Sequence, residues 1–163
     1  MTREARPARD VPVTMTSIDG ARIVPLRKVV NERGHLLEIQ RSDDELCPGI
    51  AQAYTTCTLP GVVKAWYRHR KQFDQIALVH GDATIVLYDA RNDSRSRGQL
   101  IECVLTDEAP RLVQIPPGIW HGFKASGAQP VYLLHLNAAA HDTAHPDEDR
   151  LPPDSGEIPY AWK

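Results

Sequence analysis

The sequence predicts an all-β domain, an antiparallel sandwich or barrel, and three observations carry that expectation. Short runs rich in β-branched and aromatic residues recur along the chain. The turn sequences PG, HGD, RNDS, PPG and SGAQP punctuate them. No long segment carries a helical apolar period. ARIVPL (21–26) opens the ordered sequence, and GHLLEIQR (34–41) and IAQAYTTCTL (50–59) follow it, the latter ending at the PG turn of residues 60–61. VVKAWYRH (62–69) and QIALVH (75–80) come next, and DATIVLYDA (82–90) runs between the HGD and RNDS turns. QLIECVL (99–105), RLVQI (111–115, ending at PPG) and PVYLLHLN (130–137, starting from SGAQP) complete the set, with a further strand after PPG. In such architectures a deep pocket between the sheets is a common ligand site.

Composition bounds the function. A chain of 163 residues with 42% hydrophobic and 25% charged content suits one domain with a real core, expected over 21–163 behind a disordered arm at 1–20. A net charge of -2 leaves no electrostatic footprint for nucleic acid, and no polybasic run adjoins an apolar segment as a membrane anchor requires. The expected partners are a small molecule and a second copy of the chain. Cys47, Cys57 and Cys103 are widely spaced and odd in number, which argues against a disulfide framework and for a reducing, cytoplasmic setting. The proline-rich, acidic tail ends in Ile158, Tyr160 and Trp162, and these are expected to pack back on the barrel.

Chemistry concentrates in GVVKAWYRHRKQFDQIALVHG (61–81). Strand alternation puts Tyr67 and His69 on one face, with Asp74 near the start of the next strand. In QIPPGIWHGF, His121 follows a turn onto a later strand that a barrel can bring opposite His69. Two imidazoles, a carboxylate and a phenol then share one cavity.

These two stretches resemble the motifs of the cupin superfamily, G(X)5HXH(X)3-4E(X)6G and PXG(X)2H(X)3N. Tyr67 stands for the first histidine, Asp74 for the glutamate and Ala125 for the asparagine. Over residues 21 to 162 the chain is similar to the dTDP-4-dehydrorhamnose 3,5-epimerase family, on NERGHLLEI, GVVKAW, LYDARNDSRSRGQ, IPPGIWHGF and RLPPDSGEIPYAW. The resemblance implies a cupin-type jelly roll with extended terminal segments. It also implies a homodimer in which an N-terminal strand carries the ERG segment into the partner's site. The substrate it implies is a nucleotide-linked 4-keto-6-deoxy sugar, and the chemistry is cofactor-free proton transfer beside the ketone. Asp154 matches the family's paired aspartate, Arg33 and Glu38 its ERG-segment ligands, and Lys64 replaces an arginine that positions substrate. Tyr67 occupies the place of the basic histidine, Asp74 that of a lysine, and Leu134 falls where a proton-donating tyrosine stands.

Chemistry then redistributes the roles. A phenol, with a pKa of about 10, is a poor base at neutral pH and a suitable proton donor, whereas an imidazole titrates near neutrality. His69 is therefore expected as base, Tyr67 as acid or oxyanion donor and Asp154 as orienting carboxylate. Arg33, Glu38, Gln52, Lys64, Gln72, Asp74 and His121 are expected to bind substrate. Two other classes stay open. His69, Asp74 and His121 form a ligand set for a divalent metal, with Tyr67 or Gln72 as a possible fourth group. A cupin that binds a nucleotide sugar without turnover is the other. His35, His80, His141 and His145 are expected in turns or at the surface, Trp66 and Trp120 in the core or pocket wall. His135, of opposite parity to Leu134, is expected to point away from the pocket if Leu134 points in.

Overall fold

Alternation of apolar and polar residues along the strands builds two antiparallel sheets whose apolar faces meet. The computed structural model describes residues 14–163. In chain order the strands are β1 (Thr14–Met15), β2 (Arg22–Pro25), β3 (Lys28–Asn31), β4 (Gly34–Leu37), β5 (Gln52–Thr58), β6 (Val63–His69) and β7 (Asp74–His80). They continue with β8 (Ala83–Asp89), β9 (Leu100–Leu105), β10 (Arg111–Ile115), β11 (Ile119–Ala125), β12 (Val131–Asn137) and β13 (Glu148–Arg150). One sheet has the order β1-β2-β10-β7-β12-β5 and the other β13-β6-β11-β8-β9, while β3 and β4 form a separate hairpin. This is the expected all-β jelly roll. Among the described residues no helix is long and apolar enough to cross a membrane.

Between the sheets, Ile76, Leu78, Val113, Ile115 and Leu133 of one face pack on Ile85, Leu87, Leu105, Ile119 and Phe123 of the other. Burying each such side chain contributes about 1.5–3 kcal/mol. The arm expected over 1–20 lies, for residues 1–13, outside the described residues. Residues 14–20 belong to the fold. Ile18 is fully buried in the core, and Thr16 Oγ1 donates toward the carbonyls of Ile18 and Ala21, closing the turn that delivers it there.

The chain's own ends cover the outer faces. Leu26, Leu37 and Ile39 lie on Ala77 and Leu112 of the six-stranded sheet. The C-terminal segment covers the other sheet, placing Ile158 on Trp66, Val86 and Trp120, with the Trp162 ring centroid 5.0 Å from that of Trp66. Gly122 makes room for this contact: a Cβ there would meet Ala65 Cβ at 2.5 Å and Trp162 at 3.0 Å.

One irregularity shapes the interior. Tyr67 pairs with His121 and Lys64 with Phe123, so three steps along β6 match two along β11. This β-bulge changes the parity of β6. Trp66 goes out to the aromatic cluster, while Lys64 reaches across to donate to the Cys57 carbonyl in β5 at 2.8 Å.

Candidate functional site

An open cavity of about 1150 Å³ lies at one end of the barrel. Gln52 and Tyr54 of β5 and Asn137 of β12 form part of its wall, with His69, Gln72, Glu148 and Arg150 on other parts. The segment 138–147 crosses its mouth, tied down where His141 N donates to Gln52 Oε1.

Behind this wall the polar residues of the two sequence motifs converge. The PPG turn fixes the approach: Gly118, at φ 86°, donates its N–H to the His69 carbonyl at 2.7 Å, so β11 starts beside the end of β6. His121 then faces Tyr67, their ring centroids 6.2 Å apart. Asp74 opens β7 on the opposing sheet and sends Oδ2 between the two imidazoles, 3.1 Å from His69 Nε2 and 3.2 Å from His121 Nε2. Its Oδ1 accepts from Gln72 Nε2 at 2.7 Å. Asp74 and His121 are both buried, at 5% and 4% exposure.

The remaining ring nitrogens settle the proton inventory. His69 Nδ1 lies 2.7 Å from the Asp147 carbonyl and His121 Nδ1 3.2 Å from that of Ile119. A carbonyl only accepts, so both Nδ1 atoms carry hydrogen. Each Nε2 of a neutral ring is then a lone pair aimed at a carboxylate oxygen, and the cluster is favourable only when a proton or another cation sits among these three atoms. Burial alone would raise the Asp74 pKa, but the hydrogen bonds and charges of His121 and His69 hold it far below the usual carboxylate range. Burial pulls His69 down, yet the Asp74 hydrogen bond and charge, the Asp147 carbonyl and Glu148 outweigh it, leaving its pKa raised. Asp147 steadies the ring further, since its carboxylate accepts the backbone N–H groups of Arg70, Lys71 and Gln72.

Sequence-predicted residues divide on this geometry. His69, Asp74, His121 and Gln72 are in mutual contact. Tyr67 adjoins His121, with the Arg150 guanidinium 5.4 Å over its ring; Gln52 lines the cavity, whereas Tyr67 and Lys64 lie outside its lining. Asp154 is not brought to the cluster. It sits exposed in a turn of the C-terminal segment, away from the cavity lining, and Asp74 is the carboxylate that orients His69. Arg33 projects from the β3–β4 turn with 82% of its side chain exposed, beside Glu32 at 3.5 Å. Neither it nor the half-buried Glu38 lines the cavity.

His135 and Leu134 have the expected opposite parity, with His135 on the inward face. Residues 131, 133, 135 and 137 of β12 face inward, and Leu134 is the one turned outward. His135 is buried, stacked on Tyr54 with ring centroids 4.7 Å apart and planes 3° from parallel, and its Nε2 lies 3.0 Å from Thr56 Oγ1. Burial lowers its pKa to about 4. Tyr54 and Asn137 are among the cavity residues that the motif spacing misses; their signal was the alternation Gln52, Tyr54, Thr56 in β5 and Val131, Leu133, His135, Asn137 in β12.

The chain as a whole matches known proteins. Residues 15–162 match the family model described as dTDP-4-dehydrorhamnose 3,5-epimerase. The "Probable low-salt glycan biosynthesis epimerase Agl13" of Haloferax volcanii is 38% identical over 150 residues, 91% of this chain and 96% of that protein. The spore coat polysaccharide biosynthesis protein SpsL of Bacillus subtilis is 34% identical over 145 residues, 89% of this chain and 96% of the relative. The crystal structure of a dTDP sugar isomerase from Desulfovibrio desulfuricans G20 superimposes with a TM-score of 0.87 at 31% identity, covering 91% of this chain and 94% of that one. Sequence, length and fold agree, and the chain belongs to the dTDP-4-dehydrorhamnose 3,5-epimerase family.

Proposed function

We propose that this protein is a nucleotide-sugar epimerase that acts on a dTDP-4-keto-6-deoxy sugar by moving a proton at a carbon beside the ketone. The observation that carries the reading is the His69–Asp74 contact at 3.1 Å in a wall of the open cavity. A ketone acidifies the neighbouring C–H, so the reaction needs a base, a stabiliser of the enolate oxygen and a route for the returning proton, with no cofactor. His69 takes the proton at Nε2, and Asp74 stabilises the imidazolium that forms. Tyr67, on the same face of β6, donates a hydrogen bond to the enolate oxygen. Gln52 contacts the substrate from the cavity wall, and Lys64 helps position it from the barrel interior.

The protein acts as a homodimer on this reading. The β3–β4 hairpin leaves Val30 and Leu36 69% and 62% exposed and holds Arg33 away from its own chain's cavity. A partner's cavity is where Arg33 and Glu38 meet substrate.

Incubation of dTDP-4-keto-6-deoxyglucose with the protein in heavy water tests the assignment. Deuterium is expected at C3, or at C3 and C5, and His69→Ala is expected to slow its entry by at least about 100-fold. Absence of exchange by the wild-type protein, with binding intact, would leave a sugar-binding cupin without turnover.

A second reading has its own observation. The ligand atoms of His69, Asp74 and His121 all lie within 4.8 Å of one another, and both histidines donate Nδ1–H to a backbone carbonyl, the outer contact that fixes a metal-binding tautomer. The donor set fits a divalent transition metal, which would bind here as a Lewis acid at the substrate carbonyl. Elemental analysis of protein purified without added metal separates the readings: no stoichiometric metal is expected, and iron, nickel, manganese or zinc lost on His121→Ala would establish the metal site.

A further inference from the structure

Inversion beside a ketone needs a base on one face of the enolate and an acid on the other, because a proton returned from the side it left restores the starting configuration. His69 and Tyr67 rise two residues apart from the same face of β6, in the five-stranded sheet. An enolate resting on that wall presents one face to both. Tyr67 is therefore placed to hold the oxygen and not to protonate the far face.

The opposing wall belongs to the six-stranded sheet, where β5 and β12 present Tyr54 and Asn137 to the same cavity. Tyr54 keeps 40% of its surface exposed, and its ring is held flat against His135, itself fixed by Thr56 and by Phe123 at 5.9 Å between centroids. Asn137 is only 6% exposed; its side chain hydrogen-bonds Tyr54, and its Oδ1 has no partner. A buried acceptor without a donor at a cavity wall is suited to a ligand hydroxyl.

We infer that Tyr54 is the acid of the epimerisation, giving its phenolic proton to the enolate face opposite His69, while Asn137 Oδ1 accepts a hydroxyl of the sugar. The assignment rests on the epimerase reading above. His69 Nε2 removes the proton from the carbon, and the C–H electron pair moves into the ketone to form the enolate. The enolate carbon then takes the proton of Tyr54 Oη as the carbonyl re-forms. The tyrosinate regains a proton from water and His69 loses one to water, so no net charge or oxidant is needed. Burial first, and then the charge of Asp74, raise the Tyr54 pKa while a hydrogen bond with Asn137 lowers it, so the residue starts each turnover as the phenol.

Tyr54→Phe removes the phenol and keeps a ring to stack on His135. In heavy water, with the nucleotide-linked 4-keto sugar as probe, the wild-type protein is expected to exchange and invert. Tyr54→Phe is expected to exchange within about threefold of wild type and to invert at least about 100-fold more slowly, so that deuterium accumulates in substrate of unchanged configuration. Asn137→Ala is expected to raise KM about tenfold, the scale of one lost hydrogen bond. Inversion by Tyr54→Phe at the wild-type rate overturns the inference and leaves the epimerase reading standing. Joint loss of exchange and inversion in a variant with an unchanged melting temperature overturns it too, since Tyr54 then serves binding. Absence of exchange in the wild-type protein defeats the epimerase reading and this inference with it.

Discussion

A histidine acts as a base through the ring nitrogen that carries no proton, and the Asp147 carbonyl, by accepting from Nδ1, leaves that role to Nε2 of His69, which faces Asp74 Oδ2 at 3.1 Å. His69, Asp74 and His121 were legible from spacing alone, because strand alternation and the PPG turn dictate where they point. Asp154 was not legible, since its part in the expected pair depended on how the C-terminal segment crosses the barrel, and that segment binds the outer aromatic face instead. Which of Leu134 and His135 points inward was not legible, because both faces of VYLLHLN are apolar and parity there cannot be anchored on hydrophobicity. The burial of His135 has a measurable consequence. With a folded pKa of about 4 and an unfolded value of about 6.5, its neutral form contributes stability that is present above the unfolded value and lost as pH falls toward the folded one. His69 has the opposite sign: its raised pKa contributes below the unfolded value and is lost as pH rises through the folded one. Between pH 6.5 and 5, therefore, His135 drives the acid loss at a limit of about 1.4 kcal/mol per pH unit. Urea unfolding of His135→Phe is expected to show about 1 kcal/mol less loss over that range than wild type; equal slopes would contradict the assignment.

The strands were largely legible, because β-branched runs between glycine and proline turns leave the chain few alternatives. RLVQI and β10 share their ends, and the other runs read from 50 onward differ from their strands by a residue or two. The bulge in β6 and the short β13 were not, since a one-residue change of register and a three-residue pairing leave no periodic trace. β13 matters to the site: it pairs Glu148 with His69 and Arg150 with Tyr67, lining up a carboxylate and a guanidinium along β6. The β3–β4 hairpin carries the proposed dimer contact. Sedimentation is expected to show a dimer for the wild-type protein and a monomer for Val30→Asp combined with Leu36→Asp, because a buried aspartate without a partner is costly at an apolar contact. A monomeric wild-type protein, or a dimeric double variant, would remove the hairpin from the interface.

The molecule as a whole is two sheets that close at one end around a hydrocarbon core and open at the other around a polar cavity. Each sheet contributes different chemistry: β6 and β11 bring Tyr67, His69 and His121, β7 brings Asp74, and β5 with β12 bring Tyr54 and Asn137. The motif residues identified the first wall and the carboxylate beneath it, while the second wall emerged only when the strands were paired. Family membership accounts for the architecture. The central claim is that His69, stabilised by Asp74, removes the proton. The pH dependence of solvent deuterium entry beside the ketone measures it, compared between the wild-type protein and Asp74→Asn. A base must be unprotonated to act, so the raised His69 pKa places the rising limb of the wild-type profile above pH 6.5, and loss of the Asp74 charge moves that limb down and lowers the plateau. Coincident limbs in the two proteins, or full exchange without Asp74, would contradict the account.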